Sequence, residues 1–90
     1  NWPEPMPVIS RFFGVAIYIY WRDHAPPHFH ARYQDDEVTV EIETGAITGR
    51  MSRRALGLIE EWRTMHKEEL LEDWRRAINK ESLNPIEPLE

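Results

Sequence analysis

The hydrophobic period of this chain changes once, at Ser52, from two residues to about 3.6, and that change confines the fold to strands followed by helices. Before it, Phe13, Val15, Ile17, Ile19 and Trp21 alternate with Gly14, Ala16, Tyr18, Tyr20 and Arg22. Residues two apart share one face of a strand, so residues 13–21 are expected as a first strand. Its second face is also fairly apolar, which suits a strand covered on both sides. The segment 23–27 interrupts the alternation, residues 28–33 read as a second strand, and Gln34, Asp35 and Asp36 form a turn. A third strand is expected over 37–43, with Val38, Val40 and Ile42 inward and Thr39, Glu41 and Glu43 outward. Thr44, Gly45 and Ala46 turn the chain into a short fourth strand over 47–51. The expected sheet is an antiparallel meander of three to four strands.

Ser52 suits a helix N-cap, and beyond it Ala55, Leu58, Ile59, Trp62 and Met65 recur at helical spacing. Leu70, Leu71, Trp74, Ala77 and Ile78 continue the pattern, but their stripe is rotated by roughly a third of a turn at 100° per residue. One unbroken helix would also run about 40 Å, more than a small domain is wide. Two helices broken near His66 and Lys67 follow. Glu68 and Glu69 suit the start of the second, and Arg75, Arg76 and Lys80 its end, as the helix dipole prefers. The fold class is therefore α+β, a small meander packed against two C-terminal helices.

Ninety residues are expected to form a single domain over 1–90, with enough hydrophobic content, 41%, to fill one core. The two ends are expected to be extended and loosely held: residues 1–7 carry three prolines and residues 82–90 two. Met6 suits a natural start, which would make residues 1–5 either an upstream or a non-native extension. With no cysteine, thiolate catalysis and cysteine-based zinc binding are excluded. The net charge of −5 argues against a broad nucleic-acid surface, and the longest apolar run, residues 15–21, is too short to span a membrane. A cytoplasmic protein is the expectation.

Three of the four histidines, His24, His28 and His30, fall within seven positions. On a strand, His28 and His30 share a face about 6.5–7 Å apart, with Arg32 next along it and Phe29, Ala31 and Tyr33 turned away. Asp23 and His24 are near enough to fold back over the same spot. Three readings stay open. His24, His28 and His30, with Asp23, suit a divalent metal such as zinc. Alternatively, His28 and His30 act as acid and base in phosphodiester cleavage with Arg32 stabilising charge. The third has these side chains simply hydrogen-bonded at a strand entrance.

Arg53 and Arg54 oppose the dipole of the first helix, and an anion such as phosphate bound there offsets that cost; solvated pairing with Glu37, Glu41 or Glu43 is the plainer alternative. His66 reads as the helix-break residue and Trp62 and Trp74 as core, whereas Trp2 reads as an exposed contact.

The strings Met6-Pro7-Val8-Ile9-Ser10-Arg11-Phe12-Phe13-Gly14, Asp23-His24-Ala25-Pro26-Pro27-His28-Phe29-His30-Ala31, Ile42-Glu43-Thr44-Gly45, Arg53-Arg54-Ala55-Leu56 and Ile86-Glu87-Pro88-Leu89 resemble the bacterial family called domain of unknown function 4160. The resemblance covers nearly all of residues 6–89. It implies a small stand-alone bacterial protein encoded beside another small protein, in an arrangement like a toxin-antitoxin module, and it assigns no catalytic residue. The leading expectation is thus a component of such a module that binds a cognate protein and carries a histidine-cluster site. A compact RNA-cleaving enzyme using His28, His30 and Arg32, and a metal-binding hydrolase on the same histidines, are the alternatives. RNA and a second copy of the chain stand as further partners.

Overall fold

The alternating half of the chain forms five strands, because its first apolar alternation is split by a turn. In the computed structural model, which describes residues 7–90, β1 (Val8–Phe12) and β2 (Val15–Tyr18) form a hairpin. Its two loop residues, Phe13 and Gly14, both have positive φ, 48° and 84°, which matches the right-handed twist of the flanking strands. A bulky residue rarely occupies the left-handed region, so Phe13 reads as strand while it makes a turn. The first strand expected over 13–21 is therefore corrected to 15–18, with a further strand before it. Phenylalanine at the turn is half-exposed, and Ile9 and Phe12 from β1 enter the core.

β3 (His28–Tyr33), β4 (Asp36–Glu41) and β5 (Ile47–Gly49) follow, and all five strands lie in chain order in one antiparallel sheet. The meander and the inward set Val38, Val40 and Ile42 are as the alternation implies. β5 is shorter than the expected 47–51 and is exposed throughout. The hydrogen bonds Glu41 N–H to the Ala46 carbonyl and Gly45 N–H to the Glu41 carbonyl close the turn before it.

Ser52 caps α1 (Arg53–Met65) by accepting the Ala55 amide on its hydroxyl, and α2 (Lys67–Ile78) follows a break at His66. Ala55, Ile59 and Trp62 from α1 and Leu70, Trp74 and Ala77 from α2 share one core with Val15, Ile17, Phe29, Ala31, Val38 and Val40. Trp62 sits at its middle, 5.3 Å from the Phe12 ring and edge-on to Phe29 at 5.8 Å. Met65 and Ile78, which the helical stripes include, end their helices exposed.

Residues 82–90 lack regular structure, as an extended end implies, and they pack against the rest of the domain. Ile86 and Leu89 are buried, the Ile86 amide donates to the Ile9 carbonyl at 2.8 Å, and Trp62 Nε1–H donates to the Glu87 carbonyl at 2.8 Å. The Asn84 amide donates to the buried Asp73 carboxylate at 2.8 Å. The strap thus bridges α1, α2 and β1. The expectations for residues 1–6, the exposed Trp2 and a non-native start included, lie outside the described residues. Among the described residues no helix is long and apolar enough to cross a membrane.

Candidate metal centre

Strand alternation puts Phe29 and Ala31 in the core and leaves His28, His30 and Arg32 on the sheet's opposite face. The loop between β2 and β3 then folds over that face. Its path is tied at both ends: the Arg22 amide donates to the Ala77 carbonyl at 3.2 Å, and the Ile42 amide to the Pro27 carbonyl at 3.0 Å. Arg22 takes a positive φ of 61°, and the Ala25–Pro26 bond is cis. This path brings Asp23 above the two histidines.

One carboxylate oxygen, Asp23 Oδ2, lies 2.9 Å from His28 Nε2 and 3.2 Å from His30 Nε2. The other accepts the His24 amide at 2.8 Å. On the far side of the rings, His28 Nδ1–H donates to the Pro26 carbonyl at 2.7 Å, and His30 Nδ1, buried without a hydrogen-bond partner, lies 3.6 Å from Glu37 Oε2. Tyr18 stacks on the His30 ring at 5.4 Å and Tyr20 meets it edge-on at 4.4 Å, while Trp74 packs 5.1 Å from His28. These contacts fix both ring planes. Burial raises the Asp23 carboxyl, and the hydrogen bonds from His30, the His24 amide and His28 outweigh it, leaving the group below its ordinary value. Tyr18 is raised, first by burial and then by the Glu37 carboxylate.

The donor atoms of Asp23, His28 and His30 all lie within 4.8 Å of one another. Bonds of about 2.0–2.2 Å around tetrahedral zinc set ligand-to-ligand edges of roughly 3.3–3.5 Å. The two contacts at 2.9 and 3.2 Å need only a few tenths of an ångström to reach that spacing. The proton inventory fits as well. With Nδ1–H committed to Pro26, a neutral His28 turns its Nε2 lone pair toward the Asp23 carboxylate, so a proton or a cation has to lie between them. A cavity of about 360 Å³ opens beside these donors, lined also by Tyr20, Thr39, Glu41 and Thr48.

The other sequence candidates are not gathered. His24 lines the cavity rim with a side chain 85% exposed, and its ring nitrogens address the Ala25 carbonyl and the far oxygen of Asp23. Arg32 turns to solvent, with Nη2 at 3.2 Å from Glu37 Oε1, and does not line the cavity. Arg53 and Arg54 are exposed and likewise stand apart from it. Glu41, Thr39, Thr48 and Tyr20 were not singled out by sequence, although strand alternation already places them on the histidine face.

The fold and this cluster define a class: a five-stranded antiparallel meander with two helices, carrying two imidazoles and a carboxylate on its open face. The family described as Domain of unknown function (DUF4160) matches residues 14–75, and the chain belongs to it. The matched stretch includes Asp23, His28, His30, Glu37 and Glu41. No curated protein and no solved structure matches the chain.

Proposed function

We propose that this domain binds one divalent transition metal, zinc by preference, through His28 Nε2, His30 Nε2 and Asp23 Oδ2, as the centre of a small hydrolytic site. The observation that carries this is the convergence of both Nε2 atoms on one oxygen, with the outer nitrogen of His28 donating to the Pro26 carbonyl and that of His30 lying 3.6 Å from Glu37 Oε2, outside hydrogen-bond distance. Metal-ligating histidines carry an outer bond of the kind His28 makes, because it fixes the tautomer and orientation of the ring. With three protein ligands a zinc ion held here would keep a fourth position open, and it would supply Lewis acidity beside the cavity.

The test is zinc titration of untagged, metal-stripped protein with metal analysis. One equivalent per chain, bound at micromolar concentration or tighter, is expected, with Asp23→Asn, His28→Ala and His30→Ala each weakening it by tenfold or more and His24→Ala changing it little. Absence of stoichiometric binding overturns the reading. Metal-free phosphodiester cleavage draws less support, because Arg32 is paired with Glu37 away from the cavity.

The two-gene module, with a cognate small protein as partner and a cytoplasmic home, is proposed from family membership. Co-purification with the product of the neighbouring gene at micromolar concentration tests it.

A further inference from the structure

Resting on that metal reading, we propose that the substrate is a small uncharged amide or ester, and that Glu41 is the general base of its hydrolysis. Charge argues first for the substrate class. Among the described residues lining the cavity there is no Lys or Arg, and two carboxylates, Asp23 and Glu41, face it. A divalent ion is balanced by those two negative charges, so the loaded site is close to neutral and offers no cationic grip for a phosphodiester. At about 360 Å³ the cavity is also near the small end of ligand pockets, which begin at about 300 Å³. It suits a group the size of one residue.

Register then places the base. Glu41 pairs with His28 across β3 and β4, so the two side chains leave the same face with Cβ atoms roughly 4.5–5.5 Å apart. Thr44 Oγ1–H donates to Glu41 Oε1 at 3.1 Å, which holds the carboxylate at the end of its strand. Thr39 pairs with His30 on one side and Thr48 on the other, forming a row across three strands. Both threonines line the cavity, and a threonine hydroxyl can bond the polar atoms flanking a carbonyl.

In the step these groups perform, a cavity water attacks the carbonyl carbon while Glu41 accepts its proton, and the carbonyl π electrons move to oxygen. Collapse of the tetrahedral species breaks the C–N or C–O bond, and Glu41 returns the proton to the departing nitrogen or oxygen. A carboxylic acid and an amine or alcohol result, with no other reagent consumed.

The experiment uses the zinc-loaded full chain with three probes: a panel of neutral N-acyl 4-nitroanilides, bis(4-nitrophenyl) phosphate, and acetohydroxamate binding by calorimetry. Anilide hydrolysis without phosphodiester hydrolysis is expected, together with acetohydroxamate binding. Glu41→Gln, which preserves shape and the Thr44 contact, is expected to keep zinc stoichiometry and melting temperature. Its anilide turnover should fall by about 100-fold or more, and its acetohydroxamate affinity should weaken with it. Faster phosphodiester than anilide turnover, undiminished turnover in Glu41→Gln, or a zinc-loaded chain that hydrolyses no anilide overturns the inference alone. A chain that takes up no zinc removes the metal reading beneath it.

Discussion

The Pro26 carbonyl accepts the Nδ1–H of His28 at 2.7 Å, and that bond leaves the opposite nitrogen to face Asp23 at 2.9 Å. A backbone carbonyl cannot donate, so the tautomer of a neutral His28 is fixed by the chain itself. The ring is 5% exposed and packed by Trp74, which keeps it from turning out to solvent. His28 Nε2 is thereby held against the Asp23 carboxylate, donating to it when the nitrogen carries a proton and free to ligate a cation when it does not.

Asp23 should make the metal-free protein more stable above acid pH. Its folded value lies below the unfolded one, so its contribution is present above the unfolded value, about 3.9, and is lost as pH falls through the folded value. Asp23→Asn is expected to be less stable than wild type at pH 6 by about 1.5–3 kcal/mol, the range for hydrogen bonds to a charged group. Chemical denaturation from pH 6 to 3 should show that gap closing below about pH 4; a constant gap contradicts the assignment.

Asp73 behaves with the opposite sign. Burial raises its carboxyl above the unfolded value, with the Asn84 amide and Arg76 opposing and Glu72 and Glu69 adding. Its contribution is full below the unfolded value and is lost as pH rises through the folded one. The stability of Asp73→Asn relative to wild type should therefore improve between pH 4 and pH 7. Asp73→Ala, which strands the Asn84 amide, should cost about 1–3 kcal/mol. Thermal melts across that range check both.

Ile86 tests the C-terminal strap. It is 4% exposed and bonded through its amide to Ile9, so Ile86→Ala should cost about 2–5 kcal/mol by urea denaturation. A cost under about 0.5 kcal/mol would mean that the strap is not docked in solution.

Two glycines should respond in opposite directions. Gly45 has a φ of +81°, and an added Cβ would lie 2.8–2.9 Å from the Arg63 guanidinium. That guanidinium is clamped by the Ile42 carbonyl and Glu60 and cannot retreat. Gly45→Ala should therefore destabilise by more than about 1 kcal/mol, whereas Gly57→Ala, in α1 with open space around it, should stabilise by about 0.5–1 kcal/mol. Equal melting temperatures for the two variants would refute the contrast.

Periodicity carried a large share of the fold. Val38, Val40 and Ile42 alternate strictly, and the stripe of Ala55, Ile59 and Trp62 is out of phase with that of Leu70, Trp74 and Ala77, so β4 and the break at His66 are readable without coordinates. The β1–β2 hairpin escaped because Phe13 carries a strand-forming side chain on a left-handed backbone. The strap escaped because Ile86 and Leu89 stand among prolines with no period to reveal a buried face.

For the candidate site, the shared face of His28 and His30 follows from sequence alone, since neighbouring side chains on a strand alternate by covalent geometry. Only the tertiary structure decided that Asp23 meets both rings while His24 swings to the rim and Arg32 turns to Glu37. The route of the Asp23 loop is set by hydrogen bonds to Ala77 on α2 and to Ile42 beyond β4. Those partners are distant in the chain, and no local pattern specifies them.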